Sequence, residues 1–396
     1  MTFANGRAYL ATPGPSVMPD RVLNAMHRAA PNIYEGELLD LTASLWPDLK
    51  ALAGTRHNAA IYIGNGHATW EAANSNVFRR GDSAVVLSTG RFGEGWADHA
   101  RQMGVTPFLT DFGKSAPIDL NRAEQALRSQ PDARAVMVTH VDTSTSARND
   151  IAALRGLMDD LGHPGLLMVD CIASLGCDEF RMDDWGVDVM IAASQKGLMT
   201  PPGLGLVFFS DKAREAAKTS DLRTPYWDWE PRIDANHFYM HFFGTAPTHH
   251  LMGLREALTM IVEEGLENVW ARHAGLARAV WAAGDAWAQR GDFALNISDP
   301  AARGHSVTAM RLSGADGTRL RNWCEHQGGV TLGVGLGMAE PDSPQADAFF
   351  RLAHMGHVSA HMTLGALAVM DAGMKALAIP HGSGALEAAT RALTQT

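Results

Sequence analysis

Residues 166–210 read LLMVDCIASLGCDEFRMDDWGVDVMIAASQKGLMTPPGLGLVFFS. An apolar run, Leu166–Val169, ends in one acid, Asp170. A second run, Val187–Ala193, ends in Ser194-Gln195-Lys196. A Pro-Pro-Gly turn then leads into a third, Leu204–Phe209. Apolar runs of this length, closed by turn residues, read as buried strands. A carboxylate and a lysine, each at the end of a core strand, suit one chemistry especially well. The lysine can form a Schiff base with pyridoxal 5′-phosphate, and the acid can hold the proton on its pyridine nitrogen.

Working outward, further strands are expected at Ala84–Ser88, Val105–Leu109 and Ala135–Thr139. Helical patterns separate several of them, for instance Ile151–Leu161 behind the N-cap candidate Asp150. Strands alternating with helices imply parallel crossovers and a doubly wound sheet, with ligands at the carboxyl ends of strands. His140, Asp170 and Lys196 all fall at or just after such ends. Residues 211–247 are rich in Trp, Tyr and Phe without a clear period. They read either as a loop packed on its own domain or as a subunit contact. Helical pattern runs from His250 to Ala288 with a break near Gly265. Beyond it come strand Ser306–Leu312, helix Gly317–His326, strand Phe350–His354 and helix Met362–Ala376. The expected organisation is an N-terminal arm (1–16), a large domain (17–264) with a mostly parallel sheet, and a smaller C-terminal α/β domain (265–396).

Bulk properties narrow the function. The chain has 396 residues, 46% hydrophobic and 19% charged, which is ordinary for a globular enzyme of two domains. A net charge of −10 without a basic cluster argues against nucleic acid and anionic membrane as partners. The start lacks a signal-peptide pattern and no apolar run approaches a membrane span. Three cysteines, Cys171, Cys177 and Cys324, give no disulfide framework, and a cytoplasmic setting fits best. The 17 histidines are scattered and no metal site is expected.

Individual residues carry two readings each. A lone lysine usually faces solvent, but the SQKGL…PPG setting of Lys196 argues for a desolvated, nucleophilic amine. Asp170 is either a ring-nitrogen partner or a structural cap. Asn65-Gly66-His67 opens a plausible helix, Ala68–Phe78. Its N–H groups could receive a phosphate, although glycines before helices are often plain turns. Phe92 could stack on a flat ring or belong to the core. The segment His140–Thr145 offers hydroxyls, or is a capped polar turn. Arg351, amid Phe349, Phe350 and Leu352, could grip a carboxylate or sit on a wet strand face.

Taken together, these segments resemble the fold-type I, class V pyridoxal phosphate-dependent aminotransferases, in particular the alanine/serine/aspartate–glyoxylate group. The likeness covers nearly the whole chain: PGPS, GNGHATWEAA, THVDTST, VDCIASLG, SQKGL…PPGLGLV, EGLENVWARH and RLAHMG. The resemblance implies that Lys196 carries the cofactor and that Asp170 pairs with its ring nitrogen. It implies phosphate contacts from Asn65, Gly66, His67 and Gln195, stacking by Phe92, and a phenolic-oxygen contact from Thr143. It implies a phosphate contact from Thr245 of a neighbouring subunit, hence a homodimer. Substrate binding falls to Arg351, with Tyr34 in a departing segment, Asn32–Gly36. Phe242 stands where relatives often have Tyr. The implied reaction moves an amino group from serine, alanine or aspartate to glyoxylate or pyruvate. Two relatives of the fold compete: a cysteine desulfurase-type lyase, which needs a mobile nucleophilic cysteine, and a pyridoxamine–pyruvate aminotransferase-like enzyme. The latter branch has lost the Gly-His cradle that is intact here.

Overall fold

A computed structural model describes residues 2–343 and 345–395. Its strands, in chain order, are β1 (Tyr9–Ala11), β2 (Asn58–Gly64), β3 (Ser83–Ser88), β4 (Thr106–Asp111), β5 (Ala135–Thr139) and β6 (Leu166–Asp170). They continue as β7 (Val189–Ala193), β8 (Gly203–Phe209), β9 (Ala294–Leu295), β10 (Val307–Arg311), β11 (Val330–Val334) and β12 (Phe349–Ala353). Seven of them form one sheet in the order β2-β8-β7-β6-β5-β3-β4. The architecture is α/β, with that central sheet mostly parallel.

The parallel part follows from the helices between its strands, such as Ile151–Asp160 between β5 and β6. The antiparallel part follows from a short link. Residues 194–202 cannot hold a crossover, so β8 returns antiparallel beside β7, and β2 pairs antiparallel with β8. The central strands are buried on both faces. Val85, Val136, Leu167 and Val169 face one core, while Val86, Met137, Met168 and Ile191 face the other. Two-sided burial explains why they read as continuous apolar runs. Strand β7 begins at Val189, two residues later than expected, because Asp188 spends its carboxylate on the backbone N–H of Leu167. Strands β1, β2, β9 and β11 carry no separate expectation from the sequence.

The second sheet runs β1-β11-β12-β10-β9. Tyr9–Ala11 pairs in parallel with Val330–Leu332, so the start of the chain joins a sheet otherwise built from its last third. Met310, Leu332, Phe350 and Leu352 pack there against Leu367 and Met370 of helix Ala360–Ala376. Gly265 lies between helices Thr248–Glu264 and Leu266–Trp287, at the expected break.

The aromatic segment 211–247 is organised by a buried cation. Arg232, 1% exposed, donates to the carbonyls of Ile61 (2.9 Å), His241 (3.0 Å) and Tyr226 (2.6 Å). Its guanidinium lies 4.1 Å over the Tyr62 ring and 5.0 Å over Tyr226. This part of the segment is therefore folded onto its own sheet edge.

Phe350 is fully buried at the centre of the second sheet's core. Phe350→Ala should cost about 3–5 kcal/mol, read as a lowered urea midpoint.

Candidate active site

Asp170 ends β6 and Lys196 follows β7 after two residues. Because β6 and β7 are parallel neighbours, with Asp170 opposite Ile191, both side chains arise at the same edge of the sheet. Asp170 is 3% exposed and Lys196 8%. Asp170 Oδ2 accepts from the Trp70 indole Nε1 at 2.8 Å, and Oδ1 accepts from the Ile172 backbone N–H at 2.7 Å. Both donors are neutral, so burial dominates and pushes the acid up to about 6. Lys196 Nζ donates to the carbonyl of Pro13. Burial, followed by the nearby Arg351 charge, lowers the amine to about 8. Gly14 covers it closely: a Cβ at Gly14 would lie 2.5 Å from Lys196 Cε. Ser16 Oγ donates to the Lys196 carbonyl at 2.7 Å and ties the same loop to the lysine backbone.

The other expected residues divide into two groups. Asn65 caps helix Gly66–Val77, its side chain accepting from the His67 N–H at 3.1 Å. Gly66 allows that helix start to pack on the loop after Asp170, since a Cβ there would meet Ile172 Cδ1 at 2.5 Å. His67 is exposed, 4.6 Å between ring centroids from Trp70, with its pKa lowered mainly by partial burial. Phe92 is half-buried, with its ring centroid 6.3 Å from that of Trp70. Gln195 holds a buried Oε1 that has no hydrogen-bond partner. Thr143 is buried, and its carbonyl accepts from Arg351 Nη1 at 2.9 Å. Arg351 Nε donates to the Val334 carbonyl at 2.7 Å, and the side chain is buried rather than on a wet face. Burial holds it down to about 10.

Tyr34 and Thr245 form the second group. Both line a separate cavity of about 540 Å³, together with Tyr239 and Phe238, and Lys196, Asp170, Phe92 and Arg351 are not part of its lining. Tyr34 is 83% exposed. Within one chain, then, the expected site is divided. Phe242 is fully buried against the core.

Two site residues were not anticipated. Trp70 holds Asp170, and Asp142 caps helix Arg91–Gln102 from a distance. Trp70 lies four residues after Gly66, on the same face of the helix, a place in the sequence that marks it only as a core residue. The three cysteines are buried. Burial raises Cys171 well above its ordinary range and pushes Cys177 and Cys324 up to about 12, so none offers a thiolate near neutral pH. Among the described residues, no three His, Cys, Asp or Glu side chains group as metal ligands.

The donor set suits pyridoxal phosphate. It comprises a buried acid without a cationic partner, a lysine with lowered pKa and a glycine-started helix terminus whose N–H groups can receive a phosphate. Residues 46–352 match the family model described as Aminotransferase class-V. The chain belongs to that family. It is 35% identical to the serine–glyoxylate aminotransferase of Methylorubrum extorquens, with 97% of this chain and 96% of that one covered. It is 33% identical to the L-aspartate–glyoxylate aminotransferase of Paracoccus denitrificans, covering 93% and 91%. The pyridoxamine–pyruvate aminotransferase structure from Mesorhizobium loti superposes with a TM-score of 0.89 over 100% of this chain and 99% of that one. At 23% identity, that likeness shows the fold.

The acid of this class-V aminotransferase makes a pH prediction in the cofactor-free state. Between its ordinary value of 3.8 and about 6, the folded chain holds a proton on Asp170 that the unfolded chain releases. Burying Asp170 therefore costs stability as pH rises through that window, fully above about 6. The stability of Asp170→Asn relative to wild type should rise by on the order of 3 kcal/mol between about pH 4 and pH 7. Urea titrations across that range check it. Trp70→Phe removes one of the two donors and should move the window upward.

Proposed function

We propose that this aminotransferase binds pyridoxal 5′-phosphate between Lys196 and Asp170. We propose that it transfers the amino group of a small L-amino acid (serine, alanine or aspartate) to a 2-oxo acid such as glyoxylate or pyruvate. The observation that carries this reading is a buried acid and a buried lysine brought to one edge of the sheet by the parallel neighbours β6 and β7. The names of the relatives at 35% and 33% identity support glyoxylate as acceptor and serine or aspartate as donor.

Pyridoxal phosphate, when bound, supplies the electron sink for charge developing at the substrate α-carbon. The protein does the rest. Asp170 would keep a proton on the ring nitrogen, its own orientation set by Trp70 and Ile172. Gly66, His67, Gln195 and the cap Asn65 would hold the phosphate, Phe92 would stack on the ring, and Thr143 would contact its phenolic oxygen. Arg351 orients the substrate carboxylate; its planar fork already spends N–H groups on two carbonyls, which fixes its direction. Lys196 Nζ, lowered to about 8, is able to take and return a proton at the α-carbon near neutral pH. Burial under Pro13 and Gly14 keeps bulk water from the amine.

Thr245 would fit this scheme as a contact given to the partner's site in a homodimer, and Tyr34, which lines the same cavity, would go with it. We further propose the division into arm 1–16, large domain 17–264 and small domain 265–396, and a cytoplasmic location. No helix among the described residues is long and apolar enough to cross a membrane. The desulfurase alternative lacks support, since each thiol is buried.

Lys196→Ala should abolish turnover and the visible absorption of the loaded enzyme; normal activity would falsify the assignment. Arg351→Ala should raise KM for every carboxylate substrate by about 2–5 kcal/mol in binding terms. Steady-state assays with a panel of amino acids, pyridoxamine included as donor, check both the role and the substrate class.

A further inference from the structure

We propose that Asp142 is a positioning residue that couples the ring-stacking wall of Phe92 to the carboxylate clamp of Arg351. The proposal deepens the aminotransferase reading and rests on it for the roles of those two groups. Asp142 lies in the loop after β5 and is 0% exposed. Its Oδ2 accepts from the backbone N–H of Phe92 at 3.0 Å and of Gly93 at 3.4 Å. Its Oδ1 accepts from the Ser144 N–H at 2.9 Å and from the Ser144 hydroxyl. The Ser144 oxygen accepts in turn from the Arg91 N–H at 3.2 Å.

Helix Arg91–Gln102 needs this outside help. Its own N-cap is Gly90, which has no side chain, so the first N–H groups have no local acceptor. Gly90 is also what lets the two segments meet. A Cβ there would lie 2.7 Å from Asp142 Cγ and 2.7 Å from Ser144 Oγ. The orientation of Phe92 is thus set by a carboxylate on another strand's loop.

The same loop holds the arginine. Thr143, next in sequence, accepts from Arg351 Nη1 at 2.9 Å through its carbonyl. Arg351 belongs to β12 of the other sheet, so residues 142–144 bridge the two sheets at the site. Arg351 is 5% exposed, and both its hydrogen bonds go to carbonyls rather than to an acid. The Asp142 carboxylate favours the charged guanidinium against burial. This arrangement leaves Arg351 charged, aimed and short of one anionic partner, which a substrate carboxylate can be. Asparagine at 142 keeps the size but has one acceptor oxygen, and its NH₂ would face donors.

The test compares Asp142→Asn with Asp119→Ala, a cap loss on helix Leu120–Ser129, where the Asp119 side chain accepts from the Arg122 N–H at 2.9 Å. Asp142→Asn should raise KM for both amino acid and 2-oxo acid about tenfold or more, with kcat within about threefold, as loss of ground-state positioning requires. Visible circular dichroism of the bound cofactor should weaken. In the cofactor-free protein, hydrogen exchange at the Phe92 and Gly93 amides should quicken at least about tenfold. Asp119→Ala should lower the melting temperature without moving KM. Asp142→Asn behaving like Asp119→Ala, with KM, dichroism and exchange at 92–93 unchanged, overturns the proposal. If Asp142→Asn does not fold, Ser144→Ala takes its place: a smaller KM increase of the same sign supports the coupling, and an unchanged KM overturns it. The exchange measurement needs neither cofactor nor turnover, so it separates failure of this coupling from failure of the aminotransferase reading.

Discussion

An acid and an amine are both held out of water at neighbouring strand ends, and each has turned to a neutral partner. Asp170 takes its hydrogen bonds from an indole and a backbone N–H, and Lys196 gives its own to a backbone carbonyl. Burial drives the two titrations toward each other, up to about 6 for the acid and down to about 8 for the amine. A protein designed only for stability would replace both by apolar residues. The rest of the site is arranged to keep them. Trp70 fixes the acid, the loop at Pro13–Ser16 roofs the lysine, and Arg351 adds a second positive charge that discourages protonation of the amine.

Much of this was legible in residues 166–210. Strands buried on both faces have no polar alternation to blur them, so Leu166–Asp170 stands out and its end can be read to the residue. Arg351 was legible for a related reason: a guanidinium among Phe349, Phe350 and Leu352 needs partners. Strand β2 was less visible as a distinct element, since its apolar run merges into the glycine turn at Gly64–Gly66. Trp70 reads as an ordinary core residue until the indole is seen to point at Asp170. Asp142 was hidden because it acts across 50 residues of sequence, on backbone groups that no side-chain pattern advertises.

Tyr34 and Thr245 illustrate a different limit. The resemblance places both at the site, while a single chain gathers them in their own cavity beside Tyr239. Residue type and spacing report what one chain does with itself. In the single chain Tyr34, Tyr239 and Phe243 are exposed aromatic surface.

Strand β1 gives the assembly a timetable. Among the described residues Tyr9–Ala11 pairs with Val330–Leu332, and Pro13, two residues on, supplies the oxygen that Lys196 contacts. A ribosome that has delivered the whole seven-stranded sheet has still not delivered the strand that anchors this roof. The pairing of β1 with β11 therefore comes late in synthesis, after the sheet that bears the lysine can already have formed. Until then the emerging chain carries a core without the chemistry it was shaped to hold.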